Sequence, residues 1–190
     1  MEILTDCDGV LLNWLQAFDN WMESNGKIKI ENGYNVGTNY GMTKEDGKDL
    51  CQFFNKSAAI GWLPPYKDAI KYVKKLHEEV GATFNVISSL SNDIHAQKLR
   101  EINLENTFGK TAISSLCCLD CGADKDQALL EHYNSGKFWI EDKTENANLG
   151  AEMGLNTFLM VHPYNANDEV HSDVIKVNNW KEIYEYIGGE

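Results

Sequence analysis

Short apolar, β-prone runs recur along this chain at Ile3-Leu4, Phe84 to Ile87, Thr111 to Leu116, Phe138 to Ile140 and Thr157 to Val161, with helical or turn-rich segments between them. That alternation predicts an α/β fold, a Rossmann-like parallel sheet flanked by helices. Sheets of this kind bind ligands outside the carboxyl ends of their strands, so the polar residues that end each run are the candidates for chemistry. The first run ends in Asp6 and Asp8, followed by Gly9. Two carboxylates that close repel each other unless a divalent cation lies between them. Oxygen ligands suit magnesium, and Gly9 lets the chain turn sharply. Alone, D-x-D-G is as well read as an acidic turn. The later runs decide between the two.

Ser88-Ser89 follows the run ending at Ile87 and precedes a helix expected to begin near Asn92. A hydroxyl at a strand end, with free N–H groups in the next turn, makes a phosphate cradle, although serines also end strands for purely local reasons. Lys125 falls near the start of a helix expected at Asp124, where a cation opposes the helix dipole. It is either a solvated lysine beside Asp124 and Asp126 or a cation turned toward the sheet edge. Glu141-Asp142 ends the run Phe138 to Ile140. A second acidic pair at a strand end is what an oxygen-ligand metal site requires.

Apolar positions Ile70, Val73, Leu76 and Val80 predict a helix over Tyr66 to Val80, announced by Pro64-Pro65. Asp124, with Gln127 three residues on, predicts a capped helix start. The interval between the first strand and Phe84 is too long for an ordinary crossover and predicts an inserted cap. Its helices are expected at Leu12 to Glu23 and Lys44 to Asn55, joined by the Gly-, Asn- and Tyr-rich loop Asn32 to Gly41. The expected organisation is an α/β core over 1–12 and 80–190 with a small, mainly helical cap over 13–79. Val174 to Val177 and the segment carrying Trp180, Ile183, Tyr184 and Ile187 predict a last strand and helix. The dinucleotide pattern G-x-G-x-x-G is absent.

A length of 190 residues, 43% of them apolar, suits one core with one insertion. The formal net charge of −12 argues against a nucleic-acid polymer as partner, because such binding rests on clustered Lys and Arg. There is neither a basic leader nor an apolar stretch approaching the ~18 residues of a membrane helix, so the expectation is a cytoplasmic protein with no membrane partner. Five cysteines, an odd number, suggest free thiols. Cys118 and Cys121 form a C-x-x-C with no second pair to complete a zinc site. Cys7 is expected in the core. Of the histidines, His162 alone ends an apolar run, and a surface or loop role is expected for it.

Taken together, Asp6 and Asp8 in DCDGVLL, Ser88 in VISS, Lys125 in ADKDQAL and Glu141-Asp142 in FWIEDKTEN resemble, in order, the four motifs of the haloacid dehalogenase-like hydrolases. Within them the chain is most similar to the 5′(3′)-deoxyribonucleotidase type, through D-x-D-G-V-L with Trp14 soon after, the stretch GWLPPYKDAI, and I-E-D-K. The resemblance implies Asp6 as nucleophile and Asp8 as general acid and then base. It implies Ser88 and Lys125 as phosphoryl ligands, with Ser89 beside them. Magnesium would be held by Asp6, the backbone carbonyl of Asp8, and Asp142, with Glu141 binding directly, through water, or only supporting Asp142. Trp14 is either a substrate-stacking residue or, with Phe18 and Trp21, part of the apolar face of a cap helix. The expected function is a magnesium-dependent phosphomonoester hydrolase acting through an aspartyl phosphate on a small phosphorylated substrate, a nucleoside monophosphate. The alternatives are a phosphatase or mutase of a sugar phosphate or other small metabolite, and a non-catalytic module that binds phosphate ligands.

Overall fold

The computed structural model describes residues 1–33, 35–66 and 68–188; Tyr34 of the predicted loop and Lys67 of the predicted Tyr66 to Val80 helix lie outside the described residues. In chain order the elements are β1 (Glu2–Thr5), α1 (Trp14–Ser24), α2 (Val36–Asn39), α3 (Lys44–Asn55), a 3-10 turn (Ala58–Trp62), α4 (Ala69–Val80), β2 (Thr83–Ser88), α5 (Ile94–Phe108), β3 (Ile113–Cys118), α6 (Asp126–Leu130), β4 (Phe138–Glu141), α7 (Thr144–Glu152), β5 (Asn156–Met160), β6 (Val174–Val177) and α8 (Trp180–Ile187). The six strands form one sheet in the order β3-β2-β1-β4-β5-β6, every pair parallel. Among the described residues no helix is long and apolar enough to cross a membrane.

Side-chain alternation divides the core between the two faces of the sheet. Ile3, Phe84, Val86, Ile140 and Phe158 point into the larger cluster, which Val73 and Leu76 of α4 and Trp180 and Ile183 of α8 complete. Leu4, Ile87 and Trp139 point the other way and meet Leu129 of α6, while Leu159 packs on Ala147 and Ala151 of α7. Each fully buried large apolar side chain contributes roughly 1.5–3 kcal/mol of transfer free energy. Trp180 also donates its indole N–H to the Val10 carbonyl at 2.9 Å, which ties the loop after β1 to the core.

Several helix limits follow from caps. Thr43 and Asp46 form a reciprocal capping box, so α3 starts at Lys44 as expected. Asp93 caps α5 by accepting from the N–H groups of His95 and Ala96. Two expected starts move. Leu12 bridges to Asp8 and to Pro65, and Tyr66 N donates to Leu11 O, so the chains entering and leaving the inserted segment run side by side. That pairing delays α1 to Trp14 and α4 to Ala69. The cap predicted at Asp124 also fails: α6 begins at Asp126, with Lys125 preceding it and making no capping bond.

Candidate active site

The register sets the site. Thr5 is level with Val86 on one side and Ile140 on the other, so one residue further Asp6 lies beside Glu141 at the carboxyl edge, and Asp6 N donates to Ile140 O at 2.8 Å. Ligand oxygens of Asp6, Glu141 and Asp142 all lie within 4.8 Å of one another. Lys125, 1% exposed, reaches between them, 2.8 Å from Asp6 Oδ1 and 3.1 Å from Glu141 Oε2. Of the two readings of this lysine, the cation turned to the sheet edge is the one the structure adopts. Burial pulls its ammonium down, but Asp6 and Glu141 outweigh burial and the group is held above its ordinary value.

Burial and the Asp6 charge raise Glu141 well above the usual carboxylate range and push Asp142 up to about 7. Three crowded carboxylates and one ammonium make a set with surplus negative charge, and its donors are all oxygens. That chemistry fits a hard divalent cation such as magnesium. Glu141 is fully buried, and its second oxygen accepts from Asn146 Nδ2 at 2.6 Å. With both oxygens so engaged, Glu141 serves first to anchor Lys125.

Gly9 brings backbone against Asp142. Its φ is +81°, and a Cβ there would lie 2.1 Å from Asp142 Oδ2. Tyr164 donates its hydroxyl to the same Oδ2, and Asn165 donates to the Asp142 carbonyl at 2.6 Å. His162 lies in the loop after β5, as expected, and its Nε2 meets the Gly9 carbonyl at 2.7 Å. Burial holds its imidazole below the ordinary value, so Nε2 is the protonated nitrogen of a neutral ring. Gly9→Ala is expected to displace Asp142 and to cost about 1–2 kcal/mol of stability, the range for a left-handed backbone that carries a Cβ. Thermal melts check this, and an unchanged melting temperature would show that neither the backbone conformation nor the close approach to Asp142 constrains the fold.

Asp8 stands apart from the carboxylate cluster. Its side chain, expected to serve as general acid and base while its backbone carbonyl meets the metal, is gripped by both terminal nitrogens of Arg100 on α5, Nη1 to Oδ1 at 2.7 Å and Nη2 to Oδ2 at 3.1 Å. Burial raises Asp8 above the usual carboxylate range, with Arg100 opposing. Arg100 was not among the predicted residues, because nothing local marks a mid-helix position 92 residues away. One signal was present: it is the only arginine in the chain.

Ser88 ends β2 fully buried, and its Oγ is one of two buried side-chain polar atoms without a hydrogen-bond partner among the described residues. Ser89 donates its hydroxyl to Ala123 O at 2.7 Å. Two cavities adjoin here. The smaller, about 200 Å³, holds Asp6, Lys125, Glu141 and Asp142; the larger, about 330 Å³, extends beneath α1 to α3 and is lined by Trp14, Val36, Lys48, Asn55 and Tyr66. Asp8, Ser89 and Asp142 border both. Trp14 stacks on Phe18 at 4.8 Å and donates to Asn55 Oδ1 at 2.8 Å, so it belongs to the helix packing and to the cavity wall together. All five cysteines are free thiols, with Cys7 in the core.

No family model matches the chain. A curated relative, the uncharacterized 32.4 kDa protein in the Gp30-rIII intergenic region of Enterobacteria phage T4, is 30% identical over 124 residues, a match that covers 61% of this chain and 44% of that protein. The match therefore spans under half the length of that relative. Among solved structures, a haloacid dehalogenase-like family hydrolase of Streptococcus pneumoniae superposes with a TM-score of 0.62 at 14% identity, covering 98% of each chain. The D,D-heptose 1,7-bisphosphate phosphatase of B. bronchiseptica, solved with magnesium and phosphate, superposes with a TM-score of 0.60 at 9% identity, covering 98% of this chain and 97% of its own. The six-stranded parallel sheet with its flanking helices is thus the haloacid dehalogenase-like α/β fold.

Proposed function

We propose that this chain is a magnesium-dependent phosphomonoester hydrolase that works through an aspartyl phosphate on Asp6. The observation that carries the reading is the approach of Asp6, Glu141 and Asp142 within 4.8 Å at the carboxyl edge, with Lys125 between two of them. Asp6 and Asp142 would hold the ion, with Glu141 supporting through Lys125 and Asn146. Magnesium, when bound, screens the charge of an anionic ester from an anionic nucleophile.

The Cys7 N–H and Lys125 bonds both fall on Asp6 Oδ1, at 2.6 and 2.8 Å, which supports Oδ2 as the attacking oxygen. In the first step Oδ2 bonds to phosphorus, the ester P–O bond breaks, and Asp8 gives the leaving oxygen its proton. In the second, water attacks phosphorus, its proton passes to Asp8, the Asp6–phosphorus bond breaks and inorganic phosphate leaves. The Ser88 hydroxyl and Lys125 meet the phosphoryl oxygens. The unpartnered Ser88 Oγ supports this, because a buried hydroxyl left without a partner costs about 1–3 kcal/mol unless a ligand supplies one.

The organic part of the substrate belongs in the larger cavity, under the segment 13–79 acting as a cap. We assign it as a nucleoside monophosphate, its base against Trp14 and Tyr66, because aromatic rings line the wall there. A panel of nucleoside monophosphates, sugar phosphates and phosphocarboxylates with magnesium tests this. Nucleotides are expected to lead by at least about tenfold in kcat/KM, the value of roughly 1.4 kcal/mol of added contact. Equal or faster turnover of sugar phosphates would replace the nucleotide with a sugar phosphate while leaving the phosphatase reading standing.

A further inference from the structure

We infer that Arg100 is a positioning residue for the proton-transfer step, holding the Asp8 carboxylate at the junction of the two cavities; this rests on the phosphatase reading above. The chain uses lysine at every other basic position, and its one guanidinium is fully buried and closes a two-point fork on Asp8. Only a planar guanidinium fixes both oxygens of a carboxylate and so sets its rotation as well as its place. The place is specific. Asp8 borders both the pocket that holds Asp6 and the larger cavity, so it stands where the ester oxygen joining phosphoryl group and organic part must lie.

The anchor is rigid for reasons visible on the same helix. Asn103 of α5 pairs with both the N–H and the carbonyl of Leu63, at 2.9 and 3.2 Å, and Gly61 packs closely enough that a Cβ would come within 3.1 Å of Leu99. α5 is thereby fastened to the exit of the inserted segment, and Arg100 lies between these contacts. Released from Arg100, the Asp8 side chain would be free to turn toward the ion-binding carboxylates, away from the leaving oxygen.

The test compares phenyl phosphate with p-nitrophenyl phosphate, two esters of similar shape whose leaving groups differ in their need for a proton. In Arg100→Met, kcat/KM is expected to fall about 10²-fold for phenyl phosphate and under tenfold for p-nitrophenyl phosphate, within the usual range for lost acid–base catalysis. Arg100→Lys should recover part of the loss. In an Asp8→Asn background, Arg100→Met should cost phenyl phosphate nothing further, because the two residues act as one unit. The double variant removes both charges together and leaves none unpaired, so it is expected to fold. If Arg100→Met alone does not fold, Arg100→Lys in the two backgrounds carries the same comparison. Equal losses on both esters, or equal losses with and without Asp8, would make Arg100 a structural ion pair and overturn the inference. If wild type turns over only nucleotides, the Arg100→Met loss with and without Asp8→Asn is read on a nucleoside monophosphate; absence of wild-type turnover on both esters and on the whole panel above would instead overturn the phosphatase reading, and the inference with it.

Discussion

Asp6→Asn is expected to lower turnover of any phosphomonoester by roughly 10⁵-fold, the scale on which loss of a nucleophile acts in other covalent catalysts. An amide of the same size keeps Oδ1 as acceptor for Cys7 N–H and Lys125, so the local geometry has no reason to change. The electrostatics should even favour folding. Asp6 raises both Glu141 and Asp142, and neutralising it relieves that repulsion while Lys125 keeps Glu141 as partner. The variant should therefore melt at or above the wild-type temperature without magnesium. Radiolabelled phosphoryl groups retained on the protein after acid quench should appear with wild type and vanish with the variant. Residual turnover above about one part in ten thousand would remove Asp6 as nucleophile, since acid–base residues alone are worth up to about 10⁴-fold.

The parts of this site that could be read from the chain are those whose position follows from a strand ending. A buried parallel strand is a continuous apolar run, so the polar residue after it is forced to the carboxyl edge, and Asp6, Ser88 and Glu141-Asp142 were found this way. Adjacency of the β1 and β4 ends, which makes the carboxylates one group, comes from the strand order and is not local information. Lys125 shows the opposite case. Its neighbourhood, with Asp124 and Asp126, reads as a solvated helix start, and the capping pattern there gave way because the ammonium is held by Asp6 and Glu141. Tertiary contacts outweighed a short helix of five residues. Arg100 lies mid-helix on α5, 92 residues from the Asp8 it grips, so no strand ending marks it and its being the chain's single arginine is the one trace it leaves in the sequence. Tyr164 and Asn165, which hold Asp142, sit in a loop with no periodicity at all.

Lys125→Met is expected to produce the largest loss of stability of any single change at the site, about 3–5 kcal/mol in the absence of divalent ions, the range for removing one partner from a buried ion pair. The magnitude follows from what remains. Glu141 would keep the Asn146 bond but lose its countercharge in a fully buried position, and Asp6 would lose one of the two donors on Oδ1. The methionine fills most of the vacated space, so cavity formation is a minor part of the effect. Two consequences separate this account from a simple packing defect. Magnesium should restore more stability to the variant than to wild type, because the ion replaces part of the missing positive charge, and calorimetric melts with and without the ion read that difference. Turnover should nonetheless stay depressed by roughly 10³-fold with saturating magnesium, since the ammonium proposed to meet the phosphoryl oxygens is gone. Equal magnesium stabilisation of variant and wild type would show that Lys125 and the ion do not share the same carboxylates, and the arrangement proposed for the whole site would then be wrong at its centre.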